Sequence, residues 1–237
     1  MSLLALEGVT KRARLGRRER LVLKHATLRV EAGELVSIWG VPRSGRTTLL
    51  RVASGLEAPD AGVVRFAGRD LAERHGDWLD EGIGFAQPDR VSVAGQAVAD
   101  YVAMGLLAGG VAPQEARARA LEQLDRTGAA ACAPLPPQEL DATELVRVAL
   151  AQALARGPRL LVVDDPTRNV DPLERQSVLA LLRSIADDGV AVLMTTGEAL
   201  GVAGVDRALA ISDGELRTEV VPAQAPVVPL RGSGTGG

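Results

Sequence analysis

The chain has 237 residues, 46% of them hydrophobic, 24% charged and only 2% aromatic, with 27 basic against 30 acidic side chains for a net charge of −3. That is enough apolar material for a large core, while neither an overall basic field nor a supply of stacking aromatics points to nucleic acid as a partner. One cysteine, Cys132, excludes an intrachain disulfide and fits a reducing compartment, and two histidines, His25 and His75, are too few for a histidine-based metal site.

The first residues, Met1 to Gly8, lack the basic start and apolar run of a secretion signal. No window approaches the ~20 apolar residues of a membrane span, so work at a membrane would require docking on a protein that crosses it. Residues 3–9 and 21–30 alternate and predict strands, with the basic stretch 11–20 as the turn between them. Leu35–Trp39 is a short apolar run that predicts a buried strand, and a helix is expected from about Thr47 to Ser54. Val63–Phe66 and Ile83–Ala86 predict two further strands.

From about residue 95 the pattern turns helical. Ala97-Val98, Tyr101-Val102 and Gly105-Leu106 recur at helical spacing, Gln114–Arg126 is amphipathic, and Ala142–Arg156 is a third helix closed by Gly157-Pro158. Leu160–Val163 predicts a buried strand, Pro172–Ala186 a helix, Val190–Thr195 a strand, and 205–220 two short strands around Ser212-Asp213-Gly214. Strands alternating with helices predict a parallel sheet covered on both faces. The run of helices over about 88–157 predicts an inserted helical lobe. One folded unit is expected over 1–220. The Pro-, Ala- and Gly-rich tail, 221–237, is expected to be disordered.

Between a predicted strand and a predicted helix stands Gly40-Val41-Pro42-Arg43-Ser44-Gly45-Arg46-Thr47-Thr48. In that context, loop N–H groups and the positive end of a helix can cradle phosphates, and the Thr47 hydroxyl can ligate Mg²⁺. The pattern G-x-x-x-x-G-K-[ST] is met except that Arg46 replaces lysine, which keeps the charge but not the shape. Pro42 contributes no N–H. Alone, this loop favours phosphate binding, with an ordinary strand–turn–helix junction as the alternative. Leu160–Val163 then delivers Asp164 and Asp165 to the end of a buried strand, which is either a metal-associated carboxylate or a capped turn.

These segments together resemble the ATP-binding domain of ABC transporters over about residues 3–220. The resemblance rests on Leu6-Glu7-Gly8-Val9-Thr10-Lys11, on Val30-Glu31-Ala32-Gly33-Glu34-Leu35-Val36, on Leu49 through Gly62, and on Asn169-Val170-Asp171-Pro172, in that order. It implies a P-loop NTPase (RecA-like) α/β fold: a parallel-sheet core, an N-terminal antiparallel β layer and the inserted lobe. It implies ATP and Mg²⁺ as cofactors, with Gly40, Arg43, Ser44, Gly45, Arg46, Thr47 and Thr48 around the phosphates. Thr47, Gln87 and Asp164 would then be the metal-associated set, and Asp165, Gln87 and Thr196 the catalytic positions. Asp171 would belong to the D-loop at a dimer seam.

Several positions depart from the family's pattern. The signature Leu-Ser-Gly-Gly-Gln aligns with Leu140-Asp141-Ala142-Thr143-Glu144; Asp165 replaces the catalytic glutamate; and Thr196 replaces the switch histidine. The adenine-stacking aromatic is missing around Arg12-Ala13-Arg14, where an arginine could stack instead. Shortening a general base by one methylene, or losing imidazole, weakens proton transfer. The resemblance therefore implies an ATP-binding subunit of reduced hydrolytic power, working with a separate permease as a homodimer or heterodimer on the cytoplasmic side of the cell membrane. It is most similar to export or lipoprotein-release systems. Three alternatives remain open at this point: a pseudo-ATPase acting as a structural or regulatory partner, a non-transport ABC protein, and a small-molecule P-loop kinase, the last disfavoured by the D-loop match.

Overall fold

The computed structural model describes residues 2–15, 18–73, 82–91, 96–198 and 204–219. The expected tail, 221–237, lies outside them. In chain order the elements are β1 (Leu4–Leu15), β2 (Arg18–Val30), β3 (Leu35–Trp39), α1 (Arg46–Ala53), β4 (Ala61–Phe66), β5 (Arg69–Asp70) and β6 (Ile83–Ala86). Then follow α2 (Val98–Ala108), α3 (Pro113–Arg126), α4 (Ala142–Leu154), β7 (Leu160–Val163), α5 (Arg175–Asp187), β8 (Ala191–Thr196), β9 (Arg207–Ser212) and β10 (Glu215–Glu219).

Two sheets form. One is antiparallel, in the order β2-β1-β4-β5; the other runs β10-β9-β3-β8-β7-β6. Within the second, β3 pairs in parallel with β8 and β9, and β7 in parallel with β6 and β8, while β10 returns antiparallel along β9. A parallel core beside an antiparallel N-terminal sheet is the α/β arrangement expected from the sequence.

The apolar run of β7 follows from its position. Leu160 and Val162 pack with the N-terminal sheet and α1, whereas Leu161 and Val163 pack with the helices on the other side. A strand buried on both faces shows no polar alternation. The same division splits β8, with Ala191 and Leu193 on one side and Val192 and Met194 on the other. Parallel strands whose ends align bring the residues after β3, β7 and β8 to one edge.

Two expectations need correcting. Residues 11–20 are mostly strand, not turn: Arg12 pairs with Leu21 and Arg14 with Glu19. Arg12, Glu19 and Arg20 are exposed, so antiparallel pairing satisfies the backbone while the charges stay in water. Helix α5 begins at Arg175 and not at Pro172, because the Asp171 carboxylate accepts the Leu173 N–H at 2.9 Å and folds the preceding residues into a turn.

Candidate functional site

The loop after β3 is shaped by backbone constraints. A Cβ on Gly40 would sit 2.6 Å from the Ile211 carbonyl oxygen and 2.7 Å from Ser44 Oγ. Gly45 has φ 111°, and a Cβ there would sit 2.6 Å from the Val22 carbonyl. Only glycine fits either place. Arg43 is also left-handed, at φ 66°. Left-handed residues in such a turn can aim neighbouring N–H groups into an anion-binding concavity. Ser44 Oγ is buried and has no hydrogen-bond partner. An orphaned hydroxyl beside two left-handed residues at the head of a helix fits a phosphate ligand.

The loop opens onto a cleft of about 860 Å³. Its walls are Pro42 to Thr48, Arg20–Val22 of β2, Asp165, Arg168, Gly197, Glu198 and the Asp213–Gly214 turn. Arg46 crosses it: Nη1 lies 3.2 Å from Asp165 Oδ2, with side-chain exposures of 13% and 14%. Nη1 is buried and points no aligned N–H at an acceptor, so the contact is ionic rather than a directed hydrogen bond. Burial pushes the Asp165 carboxyl above its ordinary value, more than Arg46 and the Gly197 N–H pull it down. Asp165 is itself left-handed, at φ 48°.

Asp164, at the end of β7, is half-buried, and its Oδ1 accepts from Thr195 Oγ1 at 2.8 Å. The same hydroxyl accepts the Asp165 N–H at 3.0 Å. Thr195 thereby fixes both acidic residues, a role the sequence reading did not assign. Thr196 is 1% exposed, and its hydroxyl pairs with the Glu198 backbone, donating to the carbonyl at 3.2 Å and accepting from the N–H at 3.1 Å. It does not line the cleft; its neighbours Gly197 and Glu198 do. Glu198 pairs with Arg175.

Gln87 follows β6, beside β7, and its carbonyl accepts the Arg90 N–H at 3.0 Å in a 3-10 turn over Pro88–Arg90. It does not line the cleft. That turn is tied to the segment before Asp171, since Asn169 Nδ2 donates to Asp89 Oδ1 at 3.0 Å. Arg12, offered as a stacking group, does not line the cleft; its backbone N–H donates to Asp60 Oδ2 at 2.6 Å. The cleft wall from the N-terminal sheet is instead Arg20, Leu21 and Val22. Their register opposite Arg12 and Ala13 is a tertiary fact, and only correct hairpin pairing could have revealed it.

At the N-terminus of α4, Asp141 Oδ1 accepts the Glu144 N–H at 2.8 Å, and Glu144 Oε2 accepts the Asp141 N–H at 2.9 Å. This reciprocal capping box spends both carboxylates on the helix end. Thr143 Oγ1 donates to Glu174. Asp141 and Thr143 share a second cleft, of about 480 Å³, with Asn169, Asp171 and Leu173.

Among the described residues no three His, Cys, Asp or Glu side chains cluster to cage a metal. A nucleotide-bound Mg²⁺ needs only one or two protein oxygens beside phosphates and water; Thr47 lines the cleft, whereas Asp164 stands just behind Asp165, outside the lining, with Oδ1 accepting from Thr195. Burial pushes the Cys132 thiol up to about 11, which suits an inert side chain.

A family model described as ABC transporter matches residues 23–168. The chain is 37% identical over 219 residues to the lipoprotein-releasing system ATP-binding protein LolD of Chromohalobacter salexigens, covering 90% of this chain and 92% of that one. It is 32% identical over 219 residues to the macrolide export ATP-binding/permease protein MacB of Salmonella typhimurium, covering 91% of this chain but 34% of that protein, so it spans about a third of that relative's length. Among solved structures, the dimeric post-hydrolysis state of the ATP-binding cassette MJ0796 bound to ADP and Pi superposes with a TM-score of 0.83 at 27% identity. That match covers 94% of this chain and 100% of the other.

Proposed function

The chain belongs to the ABC transporter family as an ATP-binding subunit, and from that membership we propose that it holds Mg-ATP in the Arg46–Asp165 cleft and hydrolyses it slowly. The observation that carries this reading is the convergence of three strand ends on one cleft: the Pro42–Thr48 loop after β3, Asp165 after β7, and Gly197-Glu198 after β8. The loop N–H groups, Ser44 Oγ and the start of α1 would bind phosphate oxygens. Thr47 and Asp164 would hold Mg²⁺, which supplies charge neutralisation at the phosphates. Asp165 is the carboxylate nearest the general-base role, and its pairing with Arg46 opposes that role.

Gln87 would sense the partner from outside the cleft, and the helices over 88–157 would meet a separate permease. Among the described residues no helix is long and apolar enough to cross a membrane, so membrane work would come through that partner on the cytoplasmic face. ABC cassettes dimerise, and this one would do so with a second copy or a related subunit. The similarity to a lipoprotein-releasing ATPase and to an export ATPase supports an outward-directed or lipoprotein-releasing cargo.

A second reading, the pseudo-ATPase, is favoured by the capping box at the signature position. Its two carboxylates close the α4 N-terminus on itself where relatives present glycines to nucleotide. Titration of the purified chain with ATP, with and without Mg²⁺, tests the main reading. Wild type should bind more tightly with Mg²⁺, and Thr47→Ala should remove that advantage. Absence of binding up to about 1 mM, a free energy near −4 kcal/mol, would end the nucleotide assignment.

A further inference from the structure

Arg46 and Asp165 face one another across the cleft, and Gly197 stands beside them. A Cβ on Gly197 would lie 3.3 Å from Arg46 Nη1 and 3.5 Å from Nη2. The guanidinium therefore occupies space that any other residue at 197 would contest. Its charge lies against a carboxylate, Nη1 to Oδ2 at 3.2 Å. Both groups are about seven-eighths buried by the exposures already given, so water screens the pair less than it screens a surface salt bridge. Yet Nη1 lacks an aligned acceptor, so the pair gains charge attraction without the paired hydrogen bonds a guanidinium can make.

Resting on the nucleotide reading above, we propose that Asp165 competes with the terminal phosphate of the nucleotide for Arg46, and that Gly197 holds the competing arrangement open. Asp165 and Gly197 are then specificity-determining residues: the cleft takes a triphosphate only when its third phosphate displaces the carboxylate. A diphosphate seated on the loop N–H groups leaves the ion pair in place. The third phosphate extends toward the acidic strand end, and it can offer two aligned oxygens where Asp165 offers none. Its arrival also brings negative charge toward Asp165, which opposes binding until the guanidinium has transferred. The wild-type cleft thus discriminates less in favour of ATP over ADP than a cleft whose cation is free.

The test is calorimetric titration with ATP and with ADP, at one fixed Mg²⁺ concentration, of wild type, Asp165→Asn, Gly197→Ala and the double variant. Asp165→Asn should tighten ATP by about fivefold or more, the scale of releasing one partly buried ion pair, with ADP changed much less. Removing a negative charge would favour ATP even without competition, so Gly197→Ala is the decisive variant. It keeps every charge and the N–H that reaches Asp165 at 3.4 Å, but crowds Nη1. It should shift the ATP-to-ADP preference in the same direction, and it should add nothing in the Asp165→Asn background. Equal shifts for both nucleotides, or Gly197→Ala weakening ATP or leaving it unchanged, overturns the competition while sparing the nucleotide site. No binding of either nucleotide by any of the four proteins overturns the nucleotide reading itself, and the competition falls with it.

Discussion

Thr195 Oγ1 donates a 2.8 Å hydrogen bond to Asp164 Oδ1 from a side chain with no exposure to solvent. The same oxygen accepts the Asp165 N–H, so one hydroxyl orients a carboxylate and closes a backbone donor at the end of β7. Replacing it with the isosteric Thr195→Val leaves that N–H without a partner and frees Asp164 to rotate. The cost should be about 1–3 kcal/mol of stability, the penalty for an unsatisfied buried polar group. Denaturant unfolding measures it, and ATP titration with and without Mg²⁺ should show the loss falling on the Mg²⁺-dependent part. Unchanged stability would mean that the hydroxyl does not bridge the two residues.

The capping box at α4 makes a separate prediction. Asp141→Ala should destabilise by roughly 0.5–2 kcal/mol, as loss of an N-cap does, while Asp141→Ser should retain most of the stability because serine also caps. Thermal unfolding of the two variants against wild type decides it. If both variants lose equally, the carboxylate is held for something other than the helix end.

Asp206 links the start of β3 to α5. Its Oδ2 accepts from the Leu35 N–H at 2.8 Å and from Arg183 Nη1 at 2.7 Å. Partial burial alone would raise its pKa, but these two donors outweigh it, and the folded carboxyl sits below its ordinary value. A lowered folded pKa contributes stability that is fully present above the unfolded value, near pH 4, and that disappears as pH falls through the folded pKa. Wild type should therefore exceed Asp206→Asn in stability at about pH 7, with the difference shrinking below about pH 4. The side chain is 46% exposed, so the effect is modest and weakens with salt. A difference constant across that range would show that the charge at 206 is not what matters.

Elements whose apolar pattern is set by burial on both faces were legible in the sequence. Leu35–Trp39 and Leu160–Val163 come out at the residues expected, and so does the convergence of their C-terminal ends. Residues placed by pairing rather than periodicity were not legible. The 11–20 stretch reads as a turn because its charges break alternation, but on an edge hairpin exposed charges are compatible with strand. Arg20 and Leu21 reach the cleft only through that hairpin, and Glu198 only through the turn after β8. Asp141 could be read as a lost signature residue, but its reciprocal bond with Glu144 depends on the backbone entering α4 at the right angle. Nothing in the sequence says that Arg46 would turn to Asp165, because the room for it is made by Gly197, 151 residues later by the difference of the two positions.

The last prediction concerns hydrolysis and why no single reversion should restore it. Asp165→Glu lengthens the carboxylate but leaves Arg46 beside it. Arg46→Lys removes the fork that reaches Asp165 but leaves a base short by one methylene. Thr196→His introduces imidazole at a position that is 1% exposed and bonded to Glu198, so the ring must first win a route to the cleft. None of the three changes the α4 N-terminus, where Asp141 and Glu144 occupy each other's backbone donors. In a homodimer every ATP site would combine all four departures, and catalytic groups that act as a unit are strongly non-additive. Steady-state phosphate release from the purified protein, alone and with its permease, should be far below the ~1–10 s⁻¹ of an ordinary enzyme. Each single reversion should stay near that baseline. Arg46→Lys, Asp165→Glu and Thr196→His joined to Asp141→Ser, Ala142→Gly and Thr143→Gly should exceed the product of the single effects. Wild-type turnover within the ordinary range would show that Arg46, Asp165 and Thr196 suffice as they stand, and the pseudo-ATPase reading would have to be abandoned.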